Sequence, residues 1–455
     1  MSPTTPPPSH SEQLPPGLRR NVLGTSALTF IVVSAAAPLM VMVGVAPLAL
    51  AVGGVGAPVA YLLGGALLTV FAVGFTTLSR HVHSGGAFYA YITRGLGKQA
   101  GITAALIALM SYCVIQIGIY GLLAVTADEV LSSLFGLHLP WPVYSLSGVL
   151  LVGYLGFRSI EFGARLLGIT LVLETAILVL LAGAILIRGG ATGLGLESLY
   201  PSNVFTADIA AVLGLALAAF LGFEATAIYR TEAREPSRTI PRATYAAVAF
   251  LAGFYGFIGW VIVQAFGADA VQAAAGEHTV GLFFIAAEIY LGSWASTAMM
   301  LLLLSSVVTS LLAFHNAITR YARAISSEGM LPAALGRIHP RTRTPYVAGG
   351  VQTLLALVVV GGFALAGADP YSQLLIWVNT PGIFGILALQ IMTALAVLGY
   401  FRRTPHHEGV WRTVVAPVLA AIGLTAALLL ILRNLSLLTA ASTNVNTVLT
   451  LTLPT

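Results

Sequence analysis

Residues 213–242 read Leu213-Gly-Leu-Ala-Leu-Ala-Ala-Phe220-Leu-Gly222-Phe-Glu224-Ala-Thr-Ala-Ile-Tyr-Arg230-Thr-Glu232-Ala-Arg234-Glu-Pro236-Ser-Arg238-Thr-Ile-Pro241-Arg242. An apolar run long enough to cross a bilayer carries a glycine and a glutamate in its second half. It then enters a charged loop punctuated by two prolines. Gly222 beside an intramembrane carboxylate marks a place where a membrane helix can open its backbone. Open backbone at bilayer depth persists only inside protein or beside a cavity. An intramembrane Glu points by default to a functional site.

The whole chain fits that reading. It has 455 residues, 58% hydrophobic and 8% charged, with mean hydropathy +0.92. Soluble domains carry about 25% charged residues, so this is an all-α polytopic membrane protein. Continuous apolar runs exclude the short alternating strands of an outer-membrane barrel. Spans are expected near 23–50, 55–78, 100–127, 141–157, 163–187, 206–229, 243–266, 293–325, 345–366, 372–400 and 411–432. Each has the roughly 20 residues a span needs except 141–157, which is short. With the N-terminus inside, 19 of the 21 basic residues fall on cytoplasmic segments, leaving Arg188 and Arg433 outside. That asymmetry is the positive-inside pattern. It places the chain in the cytoplasmic membrane and explains the net charge of +5 without nucleic acid. Residues 1–18, rich in Pro and Ser, read as a disordered cytoplasmic tail, and no cleavable leader is expected. The lone Cys113 gives no disulfide framework.

The first span contains Ser34-Ala35-Ala36-Ala37-Pro38. Pro38 lacks an N–H and clashes with the carbonyl four residues back. A break there would free N–H groups that favour a carboxylate; an ordinary proline kink is the alternative. The matching break is Ala219-Phe220-Leu221-Gly222, whose freed carbonyls can receive an ammonium group. Interrupted helices in corresponding positions of two halves are a pointer to a transporter's binding site. In the fifth span Glu174 lies nine residues past Arg165, roughly 13 Å into the membrane. A carboxyl there can take up and release a proton, with Ser305, Ser306 and Thr309 as partners across to helices one and eight. A permanently bonded structural Glu and a contact to a substrate amine are the other readings. Tyr112, Gln116 and Tyr120 share one face of the third span, either for side-chain specificity or for packing. His315 is a candidate proton site or a packing residue. Trp377 and Asn379 precede a further interruption at Thr380-Pro381-Gly382.

Three stretches carry a resemblance. Phe220-Leu-Gly-Phe-Glu224, with Glu232 and Pro236-x-Arg-x-Ile-Pro-Arg242, resembles the sixth helix and following loop of amino acid–polyamine–organocation permeases. Ser84-Gly-Gly-Ala-Phe-Tyr-Ala-Tyr-Ile92-Thr-Arg-Gly-Leu-Gly97, with Gly101, resembles their second-to-third helix loop. Phe314-His315-Asn316, Arg320-Tyr321-Ala-Arg323 and Gly329-Met-Leu-Pro332 resemble the eighth helix and its loop. The resemblance implies a LeuT-like fold of two inverted five-helix repeats with broken helices 1 and 6. The expected core is 19–400, with repeats at about 21–188 and 204–402. Residues 403–455 would supply a loop, an eleventh helix and an external tail. The family usually has twelve spans, so a twelfth is expected to be missing here.

The implied function is secondary import of an amino acid or related amine by alternating access. The implied substrate residues are Ser34, Ala35, Ala36, Ala37, Ala219, Phe220, Leu221 and Gly222, joined by Tyr112 and Gln116. Pro38, Glu224, Ser305, Ser306 and Thr309 would support the breaks, with Glu224 accepting bonds from neighbouring backbone. The family commonly has a Gly-Ser/Ala-Gly run at the first break, where this chain has alanines and Pro38. It often has an aromatic lid near position 218, where this chain has Ala218; Phe220 is the nearer aromatic. Proton-coupled members often carry a lysine at the register of Glu174, where sodium-coupled relatives bind a cation. With Glu there, the expected role is proton coupling in symport. Exchange of amines, polyamine transport, and a non-transporting sensor are the alternatives. Enzyme motifs, a metal cluster and cofactors are not expected, and the expected partners are substrate, protons and the bilayer.

Overall fold

A computed structural model describes residues 23–82, 86–158, 160–439 and 445–447. The N-terminal tail and Ser84 of the glycine-rich loop lie outside the described residues, as does the side chain of Arg165. The first span is split into α1 (Thr25–Ala36) and α2 (Pro38–Gly44), and α3 (Ala46–Gly53) passes through a 3-10 turn into α4 (Ala57–His81). A short α5 (Ala87–Leu96) precedes α6 (Lys98–Phe135), α7 (Trp141–Gly156) and α8 (Ile160–Arg188). Then α9 (Pro201–Val204) and α10 (Ile209–Ala218) lead to a second break and a 3-10 stretch, Phe223–Thr231. The second half holds α11 (Pro236–Phe266), α12 (Val271–His278), α13 (Leu282–Leu291), α14 (Ser293–Ser327) and α15 (Tyr346–Leu365). A π-helical stretch, Pro370–Trp377, runs straight into α16 (Val378–Arg403), followed by α17 (Ala416–Arg433) and α18 (Leu435–Thr439).

Helix is what lipid dictates, because every backbone polar group must be satisfied within the segment. Among the described residues, ten helical segments are long and apolar enough to cross a membrane. The expected span at 141–157 is α7, apolar but only 16 residues long. At 1.5 Å per residue it reaches about 24 Å, short of the roughly 30 Å hydrocarbon core. The count by length is therefore ten, with α7 as a short eleventh helix.

Close helix approach uses small residues, as membrane packing requires. A Cβ at Gly95 of α5 would overlap the backbone of Ala396 on α16, and one at Gly399 would overlap the backbone of Gly95. A Cβ at Gly256 of α11 would crowd the Leu62 side chain of α4 at 2.9 Å, and one at Gly259 would stand 3.3 Å from the Pro58 ring. Large apolar side chains such as Leu354 and Val358 of α15 and Ile422 of α17 point outward, 61%, 63% and 62% exposed, and mark faces suited to lipid. The two broken segments lie inside the bundle, against α4, α8, α11 and α14.

Candidate functional site

The first break is one residue wide. Ala37 is forced to φ 45°, ψ 77° between the end of α1 and Pro38, a left-handed conformation uncommon for a residue with a Cβ. Carbonyls left without partners by such a break must be satisfied in the interior. Ser310 Oγ donates to the Ala35 carbonyl at 3.2 Å, and the Tyr255 hydroxyl donates to Ala36 O at 3.4 Å. Ser34 Oγ donates to Leu167 O at 3.2 Å. The amide of Leu39, just past Pro38, donates to Glu174 Oε2 at 3.3 Å.

The second break follows α10. Gly222 sits at φ 107°, and from there the chain continues as 3-10 helix. Glu224 reaches back to accept from the Gly222 amide at 3.1 Å and takes the Tyr112 hydroxyl at 2.7 Å. A Cβ at Gly222 would meet only Ala35 Cβ at 3.5 Å, so the two breaks touch here and space is not the constraint. Gly222→Ala therefore costs backbone strain alone, about 1–2 kcal/mol. The expected result is a lower unfolding midpoint in detergent that Ala35→Gly does not rescue; rescue would show a steric cause.

Glu174 is 2% exposed. The Ser306 hydroxyl of α14 faces the same carboxyl, yet it has no partner in hydrogen-bonding geometry. Ser305 and Thr309 instead donate to their own helix, at Leu302 O and Ser306 O. α8 thus meets α2 and α14 at one carboxyl.

Beside the breaks is a cavity of about 120 Å³. Ala35, Ala36, Ala218, Ala219 and Leu221 form one wall, and Met40 and Val41 of α2 another. Ile115 and Ile119 of α6, Phe314 of α14, and Tyr371 and Asn379 of the tenth span complete it. No charged side chain borders it.

Of the substrate residues expected from sequence, Ala35, Ala36, Ala219 and Leu221 border this cavity, whereas Ser34, Ala37, Phe220, Gly222, Tyr112 and Gln116 do not. Phe220 is fully buried, edge-on to Tyr255 at 6.2 Å. Gln116 donates to Leu311 O at 3.1 Å and accepts from Gln352 at 2.7 Å. The Tyr112–Gln116–Tyr120 face looks into protein; the neighbouring face, one residue or about 100° round, carries Ile115 and Ile119. His315 is wedged where Cβ atoms at Gly156 and Gly349 would meet its ring at 2.5 and 3.3 Å. Trp377 donates to Thr439 O at 3.2 Å. Ser310, Tyr255 and Tyr371 were not singled out from the sequence. Ser310 had a signal, lying one turn beyond Ser306 on the same face of α14.

The elements around the cavity are tied together at both ends, unequally. Toward the end of α2, Tyr371 donates to Gly44 O at 3.0 Å. Toward the start of α1 the ties are layered. Leu23 pairs its backbone with residues 232–234, through Leu23 N to Glu232 O at 3.0 Å and Arg234 N to Leu23 O at 2.7 Å. Arg320 of α14 pairs with Glu232 at 3.2 Å, both side chains 11% exposed, and lies 4.8 Å over the Tyr229 ring. Tyr89 donates to Glu328 at 2.7 Å. Among the described residues no His/Cys/Asp/Glu group could hold a metal ion.

A sequence profile described as amino acid permease matches residues 27–449. The chain is 23% identical over 219 residues to the branched-chain amino acid permease BcaP of Bacillus subtilis (strain 168), 47% of this chain and 43% of that protein. It thus spans less than half the length of that curated relative. It is 23% identical over 350 residues to the serine/threonine exchanger SteT of Bacillus subtilis (strain 168), 74% of this chain and 73% of that protein. An uncharacterised transporter of Mycobacterium tuberculosis (strain ATCC 25618 / H37Rv) is 26% identical over 334 residues, 66% of each.

Proposed function

This chain belongs to the amino acid permease family, and from that premise we propose that it imports a neutral amino acid across the cytoplasmic membrane by proton symport. The observation that carries the reading is the bond from the Leu39 amide to Glu174. Ionised, Glu174 holds a backbone donor of the first break. Protonated, it is a poorer acceptor and releases that donor for a substrate carboxylate. Two carboxylates competing for one amide make proton uptake and substrate binding promote each other, which is the linkage symport needs. The ammonium group goes to carbonyls of the second break, and Glu224 braces that break. The apolar walls suit a neutral side chain, and a polyamine finds no acidic side chain among them.

The transport core is residues 19–400, two inverted repeats at about 21–188 and 204–402, with the N-terminus inside as the distribution of arginines favours. Ala37 and Pro38 shape the first break. Phe220 serves as a packing anchor behind the second. Exchange of one amino acid for another is the second reading, favoured by the likeness to a serine/threonine exchanger over 74% of the chain.

The test is uptake of labelled amino acids into proteoliposomes with and without an inward proton gradient. Saturable accumulation above equilibrium only with the gradient is expected. Uptake that needs internal amino acid and ignores the gradient would establish the exchanger. Binding with no uptake under either condition would turn the reading to a sensor.

A further inference from the structure

We propose that Asn379 determines substrate specificity by hydrogen-bonding a hydroxyl on the substrate's side chain, so that the site takes small hydroxyl amino acids over their apolar isosteres. This rests on the transport reading and deepens it. The polar groups of the two breaks are largely engaged: Ala35 O by Ser310, Ala36 O by Tyr255, Leu39 N by Glu174 and Gly222 N by Glu224. Of the polar side chains bordering the cavity, Tyr371 donates to Gly44 O and Thr380 donates to Ile376 O. Asn379 differs, because its Oδ1 is buried and has no hydrogen-bond partner.

The position is also built for it. Gly118 lies on α6 between the cavity residues Ile115 and Ile119, and a Cβ there would stand 2.7 Å from Asn379 Oδ1 and 3.0 Å from its Nδ2. The missing side chain at 118 is the notch in which the amide sits. A buried acceptor without a donor is a defect in a packed interior. In a cavity that opens to solvent in turn, it becomes a recognition element. With the α-carboxylate and ammonium held at the breaks, the side chain of the bound molecule is what remains to meet Asn379. The amide accepts from a threonine or serine hydroxyl; valine, of the same shape as threonine, leaves it unpaired. Sites built around such a bond reject the analogue lacking it far more strongly than an apolar pocket rejects an added hydroxyl.

The experiment compares initial uptake of labelled threonine and valine in proteoliposomes of the full chain, wild type and Asn379→Leu. A threonine-to-valine ratio of at least about tenfold is expected in wild type, falling to about one or below in the variant. The ratio is taken within one preparation, so a poorly folded variant lowers both rates and leaves it readable. A threonine-dependent rise in unfolding midpoint in detergent, lost in Asn379→Leu, is expected alongside. Valine taken up as fast as threonine by wild type overturns the inference and leaves transport standing. A preference that survives Asn379→Leu overturns the assignment to this residue. Failure of any of the twenty amino acids to bind or be taken up overturns the transport reading and this inference with it.

Discussion

Glu174→Gln is expected to abolish gradient-driven accumulation while leaving binding and exchange in place. Gln preserves the shape and, like the protonated carboxyl, is a weaker acceptor than the carboxylate for Leu39 N, now held at 3.3 Å by Glu174, so that donor stays available to substrate. What it loses is the proton. One proton per substrate converts each pH unit of gradient into about tenfold accumulation, since a unit is worth about 1.36 kcal/mol. In the variant that factor falls to about one. The linkage also has a sign in binding. Wild type is expected to bind substrate more tightly as pH falls, because the protonated carboxyl yields its backbone donor, and the span of that change is about 5–150-fold for couplings of ordinary size. The variant's affinity stays flat across the same pH range. Identical gradient dependence in the two proteins removes Glu174 from coupling. Loss of binding as well as accumulation makes it a structural residue of the first break.

The second large effect concerns stability. Arg320 and Glu232 are paired at 3.2 Å with each side chain 11% exposed. Removing one partner of a pair so buried strands the other charge, at a cost of about 3–5 kcal/mol. Glu232→Ala is expected to lower the unfolding midpoint sharply and to admit protease near residues 230–236, where Leu23 joins the same segment by two backbone hydrogen bonds. The double variant Glu232→Leu with Arg320→Met recovers most of the loss, because apolar replacement of both members avoids the stranded charge. It does not recover all, since the guanidinium also lies over Tyr229 at 4.8 Å, an interaction of about 0.5–2 kcal/mol. A single variant as stable as wild type would show the pair to be solvated. A double variant no better than the single would place the loss in packing.

The breaks themselves could be read from sequence because their causes are local. Pro38 removes a donor within its own helix, and Gly222 supplies the left-handed backbone that Glu224, two residues on, then braces. The partners that satisfy the first break could not be read, since Ser310 and Tyr255 come from 275 and 219 residues away. A bridge from Glu174 to the first span is an expectation of the sequence, but its partner there, the Leu39 amide 135 residues away, is not. On α6 the polar residues at 112, 116 and 120 fit packing and specificity alike in sequence, and the cavity borders the adjoining apolar face, because a buried polar side chain in lipid seeks protein partners before it seeks a ligand. α7 was visible as apolar, and its 16 residues leave length alone unable to make it a span.

The π-helical stretch Pro370–Trp377 bears on how this chain tolerates change. A π turn holds one residue more than an α turn, so it is equivalent to a single insertion accommodated within a helix. Deleting one residue between 371 and 377 lets the wide turn relax to α, and the segments on either side keep their register about the helix axis, since the extra residue is already absorbed there. Tyr371 is then expected to keep its bond to Gly44 O, with α16 beyond Val378 unmoved. A one-residue gap in this stretch should therefore be tolerated more readily than one in an α-helical part of the same span.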